Sequence, residues 1–297
     1  MSKNTAKKKD QLPFYFTRAQ ADKGNDSKLL KVASFKPSND NKIINGVAAT
    51  RIQYPFITQL FYRESESFGF SFSCTASLIS DQWVLTAAHC LSNSKRELKN
   101  PANFRVAVGK PQLVTGDDIE KQYTVTTIGT FGYKGKSFLD LGLMKLGNPV
   151  PSSEATPARI YVSPVQTGLP VTVAGFGVTE YGSSVPSSVL LQTKVDISES
   201  SNCSTMNKNW ESNTGPQLCQ ESYNGDDSCQ GDSGGPLVTN IDGENVIVGV
   251  TNSGGNKDKN SKNLCGYNVI AYYARLGYYA SAISKVIGVP LSTLAAA

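Results

Sequence analysis

An all-β chain in two halves, closed by a single helix, is what this sequence predicts, and three observations carry the prediction. From Ile43 onward, short runs rich in β-branched and aromatic residues alternate with clusters of Gly, Pro, Ser and Asn, the pattern of strands joined by turns. Apolar residues at helical spacing are confined to Tyr278–Val286, near the end of the chain. Midway, Gly147-Asn148-Pro149-Val150-Pro151-Ser152-Ser153 has the composition of a connection between two halves.

Taken in order, residues 1–42 carry few apolar side chains beyond Phe14-Tyr15-Phe16 and Leu29-Leu30, and without sustained periodicity they read as a loosely structured leader. The strand-like Phe56–Tyr62 follows, then a strand-like run ahead of His89, and Phe104–Val108, Tyr123–Ile128 and Leu141–Leu146 fill the first half. Val171–Ala174, Val189–Val195, Leu237–Thr239 and Val246–Val250 fill the second. The closing helix stops at Gly288, ahead of Pro290, and Leu294–Ala297 reads as a tail outside the fold.

Charge and length exclude several classes of function. The net charge is +5, but the first 42 residues hold ten Lys/Arg against four Asp, leaving nineteen basic against twenty acidic residues elsewhere. The basicity therefore belongs to the leader, with Lys7-Lys8-Lys9 a solvated run, and the folded part carries no argument for nucleic-acid binding. No run approaches the roughly 20 apolar residues a spanning helix needs.

The chemistry concentrates in Asp227-Ser228-Cys229-Gln230-Gly231-Asp232-Ser233-Gly234-Gly235-Pro236. A serine hydroxyl is a poor nucleophile at neutral pH and must be presented on a tight turn beside a base. The glycines permit such a turn, with the Gly231 and Ser233 N–H groups free to converge on a developing oxyanion. The base is unique, because the chain has one histidine, His89, in Leu85-Thr86-Ala87-Ala88-His89-Cys90. An imidazole needs a third group to fix its tautomer, and Asp140, which opens the apolar run Asp140-Leu141-Gly142-Leu143-Met144, fits that role. Alone, each piece has a bland reading as a surface loop, a core histidine or a turn aspartate. Together they point to acyl transfer.

LTAAHC, DLGLMKL and DSCQGDSGGPL, in the order His, Asp, Ser, resemble the trypsin-like serine proteases of the chymotrypsin family. Weaker echoes at Ile43-Ile44-Asn45-Gly46, Gly175-Phe176-Gly177 and Tyr273-Ala274-Arg275-Leu276 extend the resemblance over roughly residues 43–287. It implies two six-stranded antiparallel β-barrels with a C-terminal α-helix. Residues 1–42 would be a pro-segment, 43–147 the first barrel with His89 and Asp140, 148–157 the linker, and 158–297 the second barrel with Ser233, terminal helix and tail.

The resemblance also implies roles. Ser233 attacks a peptide carbonyl, His89 takes and returns the proton, and Asp140 orients the imidazole. Asp227 becomes the base of a pocket for Arg or Lys, walled by Ser228, Ser253, Gly254 and Ala271. Three disulfides follow, Cys74–Cys90, Cys203–Cys219 and Cys229–Cys265, implying an oxidising, secreted or extracytoplasmic setting. Met1–Ala6 opens no apolar signal run, so export rests on a segment removed ahead of this numbering or on another route. A cut after Lys42 would free an ammonium at Ile43 to pair with Asp232. Protein or peptide substrates, an activating protease or a sibling molecule, and protein inhibitors are the implied partners.

No metal or organic cofactor is needed, and Asp117, Asp118 and Glu120 read as an acidic turn. The sequence departs from the family at Thr251-Asn252-Ser253-Gly254-Gly255, where relatives carry an aromatic residue and then glycine, and at Ala271, whose methyl replaces a glycine hydrogen and narrows the pocket. A catalytically silent homologue serving as a binding module is the alternative reading, together with a serine esterase. The presence of all three reactive groups argues against the first, and their chain order against the second.

Overall fold

A computed structural model describes residues 12–19, 43, 46–133 and 139–296. Two short strands, β1 (Tyr15–Arg18) and β2 (Val47–Ala48), precede β3 (Ile57–Tyr62), β4 (Ser71–Leu78), β5 (Trp83–Thr86), β6 (Phe104–Val108), β7 (Tyr123–Thr130) and β8 (Gly142–Leu146). The second half runs β9 (Ile160–Tyr161), β10 (Pro170–Gly175), β11 (Leu191–Asp196), α1 (Ser201–Met206), β12 (Gln217–Ser222), β13 (Pro236–Ile241), β14 (Glu244–Asn256) and β15 (Val269–Arg275). It ends with α2 (Leu276–Ile287), α3 (Leu291–Leu294) and β16 (Ala295–Ala296).

In the first half β3, β4, β5, β8, β7 and β6 pair antiparallel in a closed ring, giving a six-stranded barrel. In the second, β11, β10, β13, β14, β15 and β12 pair in sequence, and an antiparallel bridge between Ile197 and Gln220 joins the two ends. Closure covers most of the strand edges that invite further pairing, and β1, β2 and β9 pair with edges that remain. β11 shows the cause at residue level: Leu191, Thr193 and Val195 face inward and buried, while Gln192, Lys194 and Asp196 alternate outward.

Each barrel has an apolar interior, with Leu60, Leu85, Val106, Ile128 and Leu143 fully buried in the first and Val173, Leu218, Leu237, Val248 and Tyr273 in the second. The first cluster continues through Phe176, Ile247, Val250 and Tyr279, so one apolar mass spans both halves. At about 1.5–3 kcal/mol per fully buried large side chain, that shared mass fixes one barrel against the other. α2 contributes Leu276, Tyr279, Ala280, Ile283 and Ile287, a single helical stripe, and Gly288 takes the left-handed C-cap at φ 72°.

Two expectations are corrected. Within the leader, Leu12–Ala19 is ordered, and β1 pairs antiparallel with β7 from Tyr15↔Thr130 to Arg18↔Thr127. Its four residues are too few for periodicity to register; the pairing comes from a distant partner. The tail is also part of the fold: β16 pairs in parallel with β9, and Leu294 and Ala296 are buried. The basic run Lys7–Lys9, Leu29-Leu30 and the Lys42 junction lie outside the described residues, as does Ala297.

Candidate active site

His89 sits on the 3₁₀ turn Ala88–Leu91 that follows β5, and the Cys74–Cys90 disulfide, with Cα atoms 6.3 Å apart, ties that turn to β4. β5 and β8 pair Thr86 with Gly142, so Asp140, two residues before Gly142, arrives beside His89, three residues after Thr86. The contact is double. Asp140 Oδ1 accepts the His89 backbone N–H at 2.8 Å, and Oδ2 lies 2.8 Å from His89 Nδ1. The His89 side chain is 33% exposed and that of Asp140 6%, so the carboxylate is shielded while the ring reaches solvent. Such a contact holds the proton on Nδ1 and leaves the Nε2 lone pair to accept one.

Ser233 lies in the loop between β12 and β13. The Thr75 amide donates to both the Gly231 and Ser233 carbonyls, at 3.0 and 3.1 Å, and the Thr75 hydroxyl donates to Gly231 again. Thr75 follows Cys74 in the first barrel, so this contact ties the serine loop to the barrel that carries His89. Gly234 explains why no side chain is tolerated after the serine. At φ 79°, a Cβ there would stand 2.6 Å from the Thr75 carbonyl oxygen and would overlap the Thr86 hydroxyl. The Ser233 carbonyl oxygen is 3.8 Å from Cys90 Sγ, next to His89 in sequence.

Asp232 and Asp227 are both buried, at 1% exposure. Asp232 accepts the Cys229 and Gly177 N–H groups at 2.9 and 2.8 Å, and Asp227 accepts those of Ser228 and Gly266, both at 2.9 Å. Close by, Gln220 Nε2 donates to the Asp226 carbonyl at 3.5 Å, and Tyr273 Oη donates to Gln220 Oε1 at 2.8 Å. Among the described residues no ion pair reaches either carboxylate. Burial pushes the Asp227 carboxyl up to about 7 and that of Asp232 up to about 6, against the pull of these hydrogen bonds.

The sign of the resulting pH dependence is fixed. An unfolded carboxyl titrates near 3.9, so from about pH 4 to 7 the folded chain holds more protons than the unfolded one. The stabilising contribution is whole below about pH 4 and is lost as pH rises through about 6 to 7. For Asp227 this amounts to about 4 kcal/mol. Thermal melts of the uncut chain from pH 4 to 7 should fall more steeply than those of Asp227→Asn, and equal slopes would contradict the assignment.

The residues expected to wall a pocket lie on β14 and β15. Ser253 pairs with Tyr272 and Gly254 with Ala271, and a bulge at Asn252 shifts the register where relatives carry the aromatic residue. Ser228, next to Asp227, is 8% exposed. Gln220 pairs with Ala271 across β12 and β15, which puts the Ala271 methyl on the same face of the sheet as the Gln220 side chain. Behind this wall Glu221 accepts bonds from Lys257 and Asn202 at 2.8 Å and from Ser200 at 2.6 Å. Burial disfavours its charge, yet these donors prevail and hold its carboxyl down to about 2. Cys203–Cys219 and Cys229–Cys265 brace the same region.

Sequence reasoning missed Thr75, Gln220 and Glu221, and quoted Gly177 only within a family echo without its contact to Asp232, because each acts through a partner far along the chain. Cys74, His89 and Cys90 bring donor atoms within 4.8 Å of one another, but the cysteines are bonded to each other and offer no thiolate to a metal. In the acidic turn, Asp118 pairs with Lys121 at 2.7 Å and Glu120 with Arg63 and Arg105. No helix among the described residues is long and apolar enough to cross a membrane.

With this geometry in place, comparison with known proteins decides the family. The family model described as Trypsin matches residues 43–283. The chain belongs to the trypsin family of serine proteases. It is 30% identical over 249 residues to mannan-binding lectin serine protease 1 of Mus musculus, covering 77% of this chain and 34% of that protein. Against mannan-binding lectin serine protease 1 of Homo sapiens it is 29% identical over 238 residues, 73% of this chain and 33% of that protein. The chain thus spans about a third of the length of these trypsin-family relatives.

Proposed function

We propose that the protein is a serine endopeptidase that hydrolyses peptide bonds after Arg or Lys and is made as a precursor activated by a cut after Lys42. The observation that carries the catalytic part is the double contact of Asp140 with His89, in a family whose serine motif this chain keeps intact. Ser233 is the nucleophile, His89 its base, Asp140 the orienting carboxylate, and the N–H groups of Gly231 and Ser233 the oxyanion donors. Those donors are expected to supply about 3–4 kcal/mol to the transition state.

The pocket reading rests on Asp227, a buried carboxylate with no cation partner among the described residues. Burying such a charge is costly until a cation enters, so a guanidinium or ammonium side chain is selected, within walls from Ser228, Ser253, Gly254 and Ala271. Asp232 supports the activation reading for the same reason. An Ile43 ammonium would supply the counter-charge that the already buried Asp232 carboxylate lacks and hold the neighbouring N–H groups in place. Lys42 lies outside the described residues, and Ile43 is fully buried. The units involved are a pro-segment 1–42, barrels at 43–147 and 158–297, and a linker 148–157. The three disulfides favour an extracytoplasmic setting.

Two experiments test this. Profiling a peptide library with the activated protein should show cleavage after Arg and Lys; cleavage after aromatic residues would overturn the pocket. For activation, the intact chain should be nearly inactive, the chain cut at Lys42 active with Ile43 at its new N-terminus, and Lys42→Gln inactive after exposure to trypsin. An uncut Lys42→Gln chain with full activity would refute the mechanism.

A further inference from the structure

The ordered piece of the leader occupies a specific place. β6 pairs with β7 only at Tyr123 and Thr124, and beyond that point the same edge of β7 would be open. β1 takes it, pairing with Thr127–Thr130, and the Ala19 amide extends the ladder to the Thr126 carbonyl at 2.8 Å. Phe14 anchors the strand: its ring centroid lies 5.0 Å from that of Phe131, which is fully buried, and it packs with Leu12 on the first-barrel core. Gly129 makes the approach possible, since a Cβ there would lie 2.6 Å from the Tyr15 carbonyl oxygen and would overlap the Phe14 ring. Phe16 stacks on Phe14 at 6.4 Å, and the Arg18 guanidinium covers Phe16 at 5.5 Å.

We propose that this β7 edge is a docking surface for the chain's own Leu12–Ala19, which stays bound as a separate peptide once the chain is cut between it and the first barrel. Residues 1–42 contain no cysteine, so no disulfide can tether the segment. Retention rests on the strand pairing and the Phe14 contact, the β-augmentation mode of peptide recognition. The opposite edge of the same β7 residues pairs with β8, where Thr130 faces Gly142, two residues after Asp140. The retained strand therefore braces the strand next to the candidate catalytic carboxylate. That the physiological cut falls after Lys42 rests on the activation reading above; the docking does not.

The test separates the two. A recognition sequence for a sequence-specific protease is inserted between Ala19 and Lys42, the full chain is nicked there, and the product is passed through gel filtration with mass spectrometry of each peak. The N-terminal fragment should co-elute one to one with the remainder, whatever the activity. In Phe14→Ala it should elute separately. An excess of synthetic Leu12–Ala19 peptide should displace the fragment from the unmutated nicked protein, a measurement that does not depend on a variant folding. Complete separation of the unmutated fragment, or retention undiminished by both Phe14→Ala and the competing peptide, would overturn the proposal. Failure of the activation reading would instead appear as a wrong N-terminus or an active uncut chain, with elution unchanged.

Discussion

Replacing Ser233 or His89 by alanine is expected to lower kcat by on the order of 10⁶, and the double variant to be hardly worse, because nucleophile and base act as one unit. Asp140→Asn should be milder, at on the order of 10⁴, since it disturbs the tautomer rather than removing a reacting group. The ordering follows from the structure. The Asp140 carboxylate meets both the His89 amide and Nδ1, so an amide side chain at 140 can keep one contact and must reverse the polarity of the other. Additive losses in the double variant would mean the two residues serve different steps.

The second large effect is at Asp227. Asp227→Ser should cost more than about 3 kcal/mol in kcat/KM for Arg and Lys substrates, somewhat over a hundredfold, and leave acylation by small neutral esters intact. A pH dependence accompanies it. Because burial pushes the Asp227 carboxyl up to about 7, a cation that pairs with it below that pH must displace a proton. Affinity for benzamidine, a cation that does not react, should rise with pH to about 7 and then level off, whereas Asp227→Ser should bind it weakly and without that slope. A pH-independent affinity in the unmutated protein would show that Asp227 does not meet the cation. Ala271→Gly probes the wall, and should relax the preference for slender side chains.

How much of this was legible in the sequence depended on how far each feature reaches along the chain. The strand at Phe104–Val108, the helix stopping at Gly288 and the serine loop were readable because their signals lie within a few residues. The three disulfide pairs became readable only through the family resemblance, since six cysteines alone fix no pairing. β1 was not readable: its four residues are stable as a strand only because β7 offers an edge more than a hundred residues later. The same holds for Thr75, whose amide donates to the carbonyls of residues 231 and 233, and for Lys257, whose ammonium donates to the buried Glu221 carboxylate. The stretch Thr251–Gly255 was hard to align for another reason. Its register is set by a bulge, and a one-residue shift changes which side chain lines the pocket without leaving a composition signal.

The central claim, that Ser233 is a nucleophile activated by His89, is tested most directly by labelling the activated protein with a fluorophosphonate probe and mapping the adduct by mass spectrometry. The account predicts a single adduct on Ser233, formed rapidly in the unmutated protein and suppressed in His89→Ala. An adduct on any other residue, or labelling of Ser233 at an undiminished rate without His89, would contradict it.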